Sequence, residues 1–284
     1  MTKKAGQVVL LGGRGMLGTD LERTLRQVGF GVEVFDLPEF DITDAGQLRA
    51  AVGRSDVIIN CAAYTNVDGA ECEAESAYDV NAAAVGRLGE LAKANDSYVM
   101  HISTDFVFDG RKSGPYVERD APNPLSVYGR TKYQGEQLLA AGGCRHCIIR
   151  VQWTYGAAGN NFVARIIELS KTLNELKVID DQIGSPTATT EVAGVICELL
   201  SRNRPPEGLF HFAAAGQVSR YDQARFIFDK LGVDIDIKPC KTSDYASAAA
   251  RPLNSRFNCE KIQRLLSEPI RDWRGPLEEF LERL

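Results

Sequence analysis

Short β-branched runs alternate with helical patterns through the first half of the chain. Val8 to Leu11, Val32 to Phe35, Val57 to Asn60, Tyr98 to Ser103 and Cys147 to Val151 each read as a buried strand. Between the first two, Leu17, Leu21, Leu25 and Val28 recur at helical spacing, and Gly29 and Gly31 end the segment. That alternation predicts an α/β fold with a parallel, doubly wound sheet, one face of the helix packing on it. Past about residue 155 the pattern loosens. It predicts a helix from about Phe162 to Leu173, a strand at Lys177 to Asp180, a helix near Glu191 to Leu200, a strand at Gly208 to Phe212 and a capped helix after Ser219. We therefore expect a dinucleotide-binding domain over residues 1–155 and a smaller, mainly substrate-binding lobe over 156–284. Segments of that second lobe should return to the first domain.

Composition narrows the ligand. At 284 residues the chain can bury one large core or two modest ones, and a net charge of −5 gives no electrostatic reason to expect a nucleic-acid or membrane surface. No stretch approaches a membrane span. The opening Met1-Thr2-Lys3-Lys4 is basic, but the apolar run behind it stops at Gly12, too soon for a signal core. Seven cysteines, scattered and odd in number, suit reduced thiols in a cytoplasm better than a disulfide framework. Cys144-Arg145-His146-Cys147 contains C-x-x-C, yet nothing completes a metal or redox site, so both thiols read as small apolar residues beside a strand.

The chemistry begins at Gly12, Gly15 and Gly18, a G-x-x-G-x-x-G loop lying directly between the first strand and the first helix. There glycines let the backbone turn and approach a pyrophosphate, which sits on the free amides at the helix start. This context makes the sheet Rossmann-type. Asp36 ends the second strand, where an acid accepts hydrogen bonds from adenosine ribose and favours NAD. Arg14, inside the loop, could instead reach a 2′-phosphate, or simply be a solvated charge. Tyr128 and Lys132 form Y-x-x-x-K, and residues four apart share a helix face. An ammonium beside the phenol is expected to lower its pKa and fit it for proton transfer. Ser103, Thr104 and Asp105 end a strand and should point into the ligand crevice, where Thr104 could bond a carbonyl oxygen or merely cap the next turn. His101 reads as a packed core residue.

With these residues assembled, the chain resembles the extended short-chain dehydrogenases, and more narrowly the dTDP-4-dehydrorhamnose reductase family. The likeness is carried by Gly12 to Gly18, Phe40 to Asp44, Asn60 to Asp68, Ser103 to Phe108 and Tyr128 to Lys132. Three later segments, Gly159 to Phe162, Asp181 to Thr187 and Arg251 to Ser255, make it specific to that family. The resemblance implies Thr104, Tyr128 and Lys132 as the catalytic set. It implies a cofactor surface of Gly12, Arg14, Gly15, Met16, Leu17, Asp36, Asp41, Ile42, Ala62, Ala63, Tyr64 and Thr65, with Tyr128 and Lys132. Thr104, Asp105, Tyr128 and Trp153 would touch the sugar, although Trp153 could instead seal the junction between lobes. Phe106 replaces a frequent tyrosine and Cys61 a frequent alanine. The implied reaction is reduction of a 4-keto-6-deoxy nucleotide sugar to dTDP-L-rhamnose, with NADPH favoured and NADH also used. No metal is needed for it; some relatives carry magnesium at a subunit interface, for which no ligand set is found here, and a homodimer stays open. Two alternatives remain: a reductase of a related dTDP-4-keto-6-deoxysugar, and a non-catalytic subunit like the regulatory subunit of methionine adenosyltransferase.

Overall fold

The buried apolar runs become neighbouring parallel strands in the computed structural model, which describes residues 7–284; the basic start of the chain lies outside them. The first half runs β1 (Gln7–Leu11), α1 (Met16–Gln27), β2 (Gly31–Phe35), α2 (Ala45–Val52), β3 (Val57–Asn60), α3 (Ala74–Tyr78), α4 (Ala84–Ala94), β4 (Tyr98–Thr104), α5 (Val127–Ala141) and β5 (Arg145–Val151). The second half runs β6 (Thr154–Tyr155), α6 (Phe162–Ser170), β7 (Glu175–Ile179), β8 (Ile183–Gly184), β9 (Thr187–Ala188), α7 (Thr189–Ser201) and β10 (Gly208–Phe212). It continues with β11 (Val218–Ser219), α8 (Arg220–Leu231), β12 (Asp236–Cys240), α9 (Glu260–Gln263) and α10 (Arg274–Leu281).

Six strands form one parallel sheet in the order β10-β5-β4-β3-β1-β2. The chain leaves β1 for β2 on one side and then crosses to β3 on the other, so the strand order reverses between β1 and β3. Ligands bind at such a reversal, outside the carboxyl ends of the strands. Both faces of the sheet are covered, which is why its strands are apolar throughout. Val8 and Leu10 pack with Leu21 and Leu25 of α1 and with Val192 and Ile196 of α7. Val9 and Leu11, pointing the other way, pack with Leu48 of α2, Leu88 of α4 and Leu139 of α5. Cys147 and Cys144 fall into these two different cores, so the C-x-x-C thiols sit apart and unpaired.

A third core joins Val163 and Ile166 of α6, Leu176 and Val178 of β7, Ile227 of α8 and Leu277 of α10. This core is separate from the two that flank the sheet. The helix expected to reach Leu173 stops at Ser170, where Lys171 begins a turn bonded back to Glu168. The strand expected at Lys177 to Asp180 starts at Glu175 because it pairs with β12, whose charged, half-exposed residues carry little strand signal.

Candidate active site

The three loop glycines have different work. Gly12 has φ +72°, and a Cβ there would lie 2.5 Å from the Ala62 amide nitrogen, so the β1 and β3 loops touch at the strand reversal. At Gly18 a Cβ would lie 2.3 Å from the Gly12 carbonyl oxygen, which presses α1 onto the loop. Gly15 has only that same oxygen nearby, at 3.3 Å, and it starts α1 without a side-chain cap. Unclaimed helix amides beside an open glycine are a cradle for a pyrophosphate.

A cavity of about 1130 Å³ opens from this cradle. Gly12, Gly15, Met16, Leu17, Asp36, Asp41, Ile42, Ala62, Ala63, Tyr64 and Thr65 line one end, and Thr104, Asp105, Tyr128, Lys132 and Trp153 the other. Arg14 alone of the expected residues is outside the lining. Its amide donates to Asp36 Oδ2 at 2.7 Å, while its guanidinium bonds the Leu37 carbonyl oxygen and the Glu39 carboxylate. Arg14 holds Glu39 below the usual carboxylate range. Reaching a 2′-phosphate would therefore mean exchanging one anion for another.

Tyr128 and Lys132 both face the cavity from the start of α5, whose cap is Ser126 accepting the Gly129 amide at 3.1 Å. The expectation that Lys132 lowers the tyrosine pKa is overturned. Burial pushes Tyr128 up to about 12, with Thr104 opposing it and Asp105 adding to it. Desolvation of the phenolate wins because the lysine points elsewhere: Nζ donates to the Ile102 carbonyl oxygen at 2.7 Å and lies 3.5 Å from His101 Nε2. Burial also brings Lys132 down to about 8, against the opposing pull of Glu136 and Cys61. A phenol that keeps its proton at neutral pH suits a proton donor. His101 is fully buried as expected, but its ring nitrogens contact Lys132 and Asn60, which sequence reading missed because β3 and β4 come together only in the sheet.

Thr104 does cap the turn at Asp105–Val107, accepting the Phe106 amide at 3.2 Å, and it also bonds Asp105 Oδ1 at 3.1 Å. Asp105 is buried and pushed up to about 6 by burial, with Ser255, Thr104 and Arg220 opposing. Its Oδ2 has no hydrogen-bond partner among the described residues. Arg220, the first residue of α8, was not foreseen. Its guanidinium lies 3.5 Å from the Trp153 ring centre and 4.7 Å from that of Phe162, and burial lowers its pKa to about 9. Trp153 itself has φ +46°, and a Cβ at Gly184 would fall 2.5 Å from its ring. The Trp153 ring, expected to touch the sugar or seal the junction, thus already carries Arg220. Arg251 also lines the cavity and grips Asp68 with two bonds, at 3.1 and 2.6 Å.

Residues 6–284 match the family model described as RmlD substrate binding domain. The chain belongs to this family. It is 38% identical to the dTDP-4-dehydrorhamnose reductase of Aggregatibacter actinomycetemcomitans, over 96% of this chain and 98% of that protein. A dTDP-4-dehydrorhamnose reductase structure from Clostridium acetobutylicum superposes with a TM-score of 0.92 at 35% identity, covering 98% and 99% of the two chains. That of Bacillus anthracis, in complex with NADP, gives 0.94 at 33% identity, covering 99% and 100%. Within this RmlD-family chain the two departures are conservative in place. Phe106 packs edge-on against Tyr128 at 5.5 Å, and the half-buried Cys61 thiol is pushed by desolvation up to about 12, so it lines the cavity as a neutral group.

Proposed function

We propose that this chain reduces the 4-keto group of dTDP-4-dehydrorhamnose to give dTDP-L-rhamnose, with NADPH as favoured cofactor and NADH also used. The observation that carries this reading is the single cavity joining an open glycine cradle to a protonated, half-buried Tyr128. The family membership and the names of its relatives support the substrate. The uncapped start of α1 and the space at Gly15 fit a dinucleotide, which supplies the hydride when bound.

In this reading Tyr128 Oη gives its proton to the substrate carbonyl oxygen. Thr104 Oγ1 steadies that oxygen, Lys132 holds ribose hydroxyls, and the unpartnered Asp105 Oδ2 accepts a sugar hydroxyl. Asp105 and Thr104 are tied to each other, so sugar position and carbonyl position are set together. Seven unpaired cysteines fit work in a reducing cytoplasm.

The test is incubation of the purified protein with dTDP-4-dehydrorhamnose and NADPH, following nicotinamide oxidation and identifying the product by mass and stereochemistry. Formation of dTDP-L-rhamnose is expected. Turnover to a different deoxysugar would reassign the substrate, and cofactor binding with no turnover of any dTDP-4-keto-sugar would make the chain a binding subunit.

A further inference from the structure

Behind the cavity wall a row of buried polar side chains runs from β3 through β4 to α5. Asn60 and His101 are register partners on adjacent parallel strands, and both are completely buried. Asn60 Oδ1 accepts the Ala62 amide hydrogen at 3.0 Å, which makes the other end of that side chain, Nδ2, the group 3.1 Å from His101 Nδ1. A donor at that distance needs the Nδ1 lone pair, so the network assigns the imidazole proton to Nε2. Nε2 lies 3.5 Å from Lys132 Nζ. An ammonium has three donors and no acceptor, and there it would meet N–H with N–H; an amine has a lone pair to offer.

We propose that His101 is a positioning residue for Lys132, held by Asn60 as the Nε2–H tautomer and donating to the lysine in its unprotonated form. This rests on reading Lys132 as the partner of Tyr128 in proton delivery. The other groups around the pair leave that contact decisive. Glu136, one turn further along α5, is matched by two bonds from Arg150 at 2.8 and 2.5 Å. Tyr128 on α5 and Cys61 beyond β3 keep their protons, and His146 of β5 adds to the effects that lower the His101 pKa. Burial, with Lys132 next, holds His101 well below the usual imidazole range, so it is neutral.

The consequence is a defined proton order. Tyr128 passes its proton to the substrate oxygen, the Lys132 ammonium supplies, across the cavity both residues line, the proton that restores Tyr128 and becomes an amine, and His101 Nε2–H stabilises the amine until a solvent proton returns the ammonium. One proton enters per proton delivered.

Nitrogen NMR of the protein without cofactor or sugar tests the tautomer directly, the three histidines being distinguished by single substitutions. The expected spectrum has His101 protonated on Nε2 alone. Asn60→Asp puts a carboxylate oxygen against Nδ1, moves the proton there and turns Nε2 into an acceptor for the ammonium. In that variant the alkaline fall of kcat should move up by about one pH unit, and His101→Phe should move it the same way while changing the NADPH KM less than kcat. A wild-type spectrum with the proton on Nδ1, or on both nitrogens, overturns the proposal, even if neither variant folds. So does an unmoved alkaline limb in Asn60→Asp once its tautomer has switched. Because the spectrum needs no turnover, it decides the role of His101 separately from the substrate.

Discussion

At the scale of single residues, burial dominates the chemistry. Tyr128→Phe keeps the ring that packs against Phe106 and removes only the proton donor, so turnover should fall by ~10²–10⁴-fold with NADPH affinity nearly unchanged. Steady-state rates and cofactor titration read the two effects separately, and near-normal turnover would exclude Tyr128 as the acid. Asp105 makes a prediction about pH. Its pKa is raised in the fold from the ordinary value of 3.8 to about 6, so the folded chain binds that proton more tightly than the unfolded chain does. The associated stability is fully present below about 4 and lost as pH rises through about 6. Asp105→Asn should flatten the fall in unfolding free energy over that window, by roughly 2–3 kcal/mol, while raising the KM for the sugar nucleotide. Denaturant titrations across the window check it; an unchanged slope would mean that Asp105 is not strained.

At the scale of elements, the placement of α5 decides whether the pair can work. Gly129 would put a Cβ 2.2 Å from the Phe106 carbonyl oxygen, and Gly135 would put one 2.0 Å from that of Asn81, in the π turn Asp79–Ala83 between α3 and α4. Both obstacles are backbone, so neither can swing aside. Gly135→Ala should push α5 outward, lower stability by about 1–3 kcal/mol and reduce kcat more than it weakens NADPH. Thermal melting with kinetics tests this, and an alanine variant of normal rate would show that the helix has slack. Asn81 also accepts the Tyr64 amide at 2.9 Å and donates to Thr131, so the same turn steadies the β3 loop along the cavity.

At the scale of the whole molecule, the site is shared between two layers. Trp153 lies just past β5, yet its ring meets Arg220 of α8 and Gly184 of β8, and Arg251 reaches back to Asp68 beyond β3. α7, β10 and Ile262 of α9 meanwhile return to the core of the large sheet. If Trp153 serves the sugar end of the cavity, Trp153→Ala should lower kcat/KM for the sugar nucleotide well beyond any change in NADPH affinity, with a small fall in Tm. Earlier unfolding with an unchanged sugar KM would instead make it a packing residue, a role the Arg220 contact already gives it in part.

The sequence by itself determined the parallel sheet, the glycine loop and the Tyr128 and Lys132 face, because each is local: apolar runs, glycines between a strand and a helix, and a spacing of four residues. The family followed from those segments together with the later ones. Only the tertiary structure decided the protonation of the site, because desolvation depends on what surrounds a group and not on its neighbours in sequence. Lys132 was expected to lower the Tyr128 pKa, but it turns to Ile102 and His101, and burial raises the tyrosine instead. Arg220, Asn60 and the Arg14–Glu39 pair were equally out of reach. Their partners come from different elements, and no periodicity along the chain records which strands and helices the fold will set side by side.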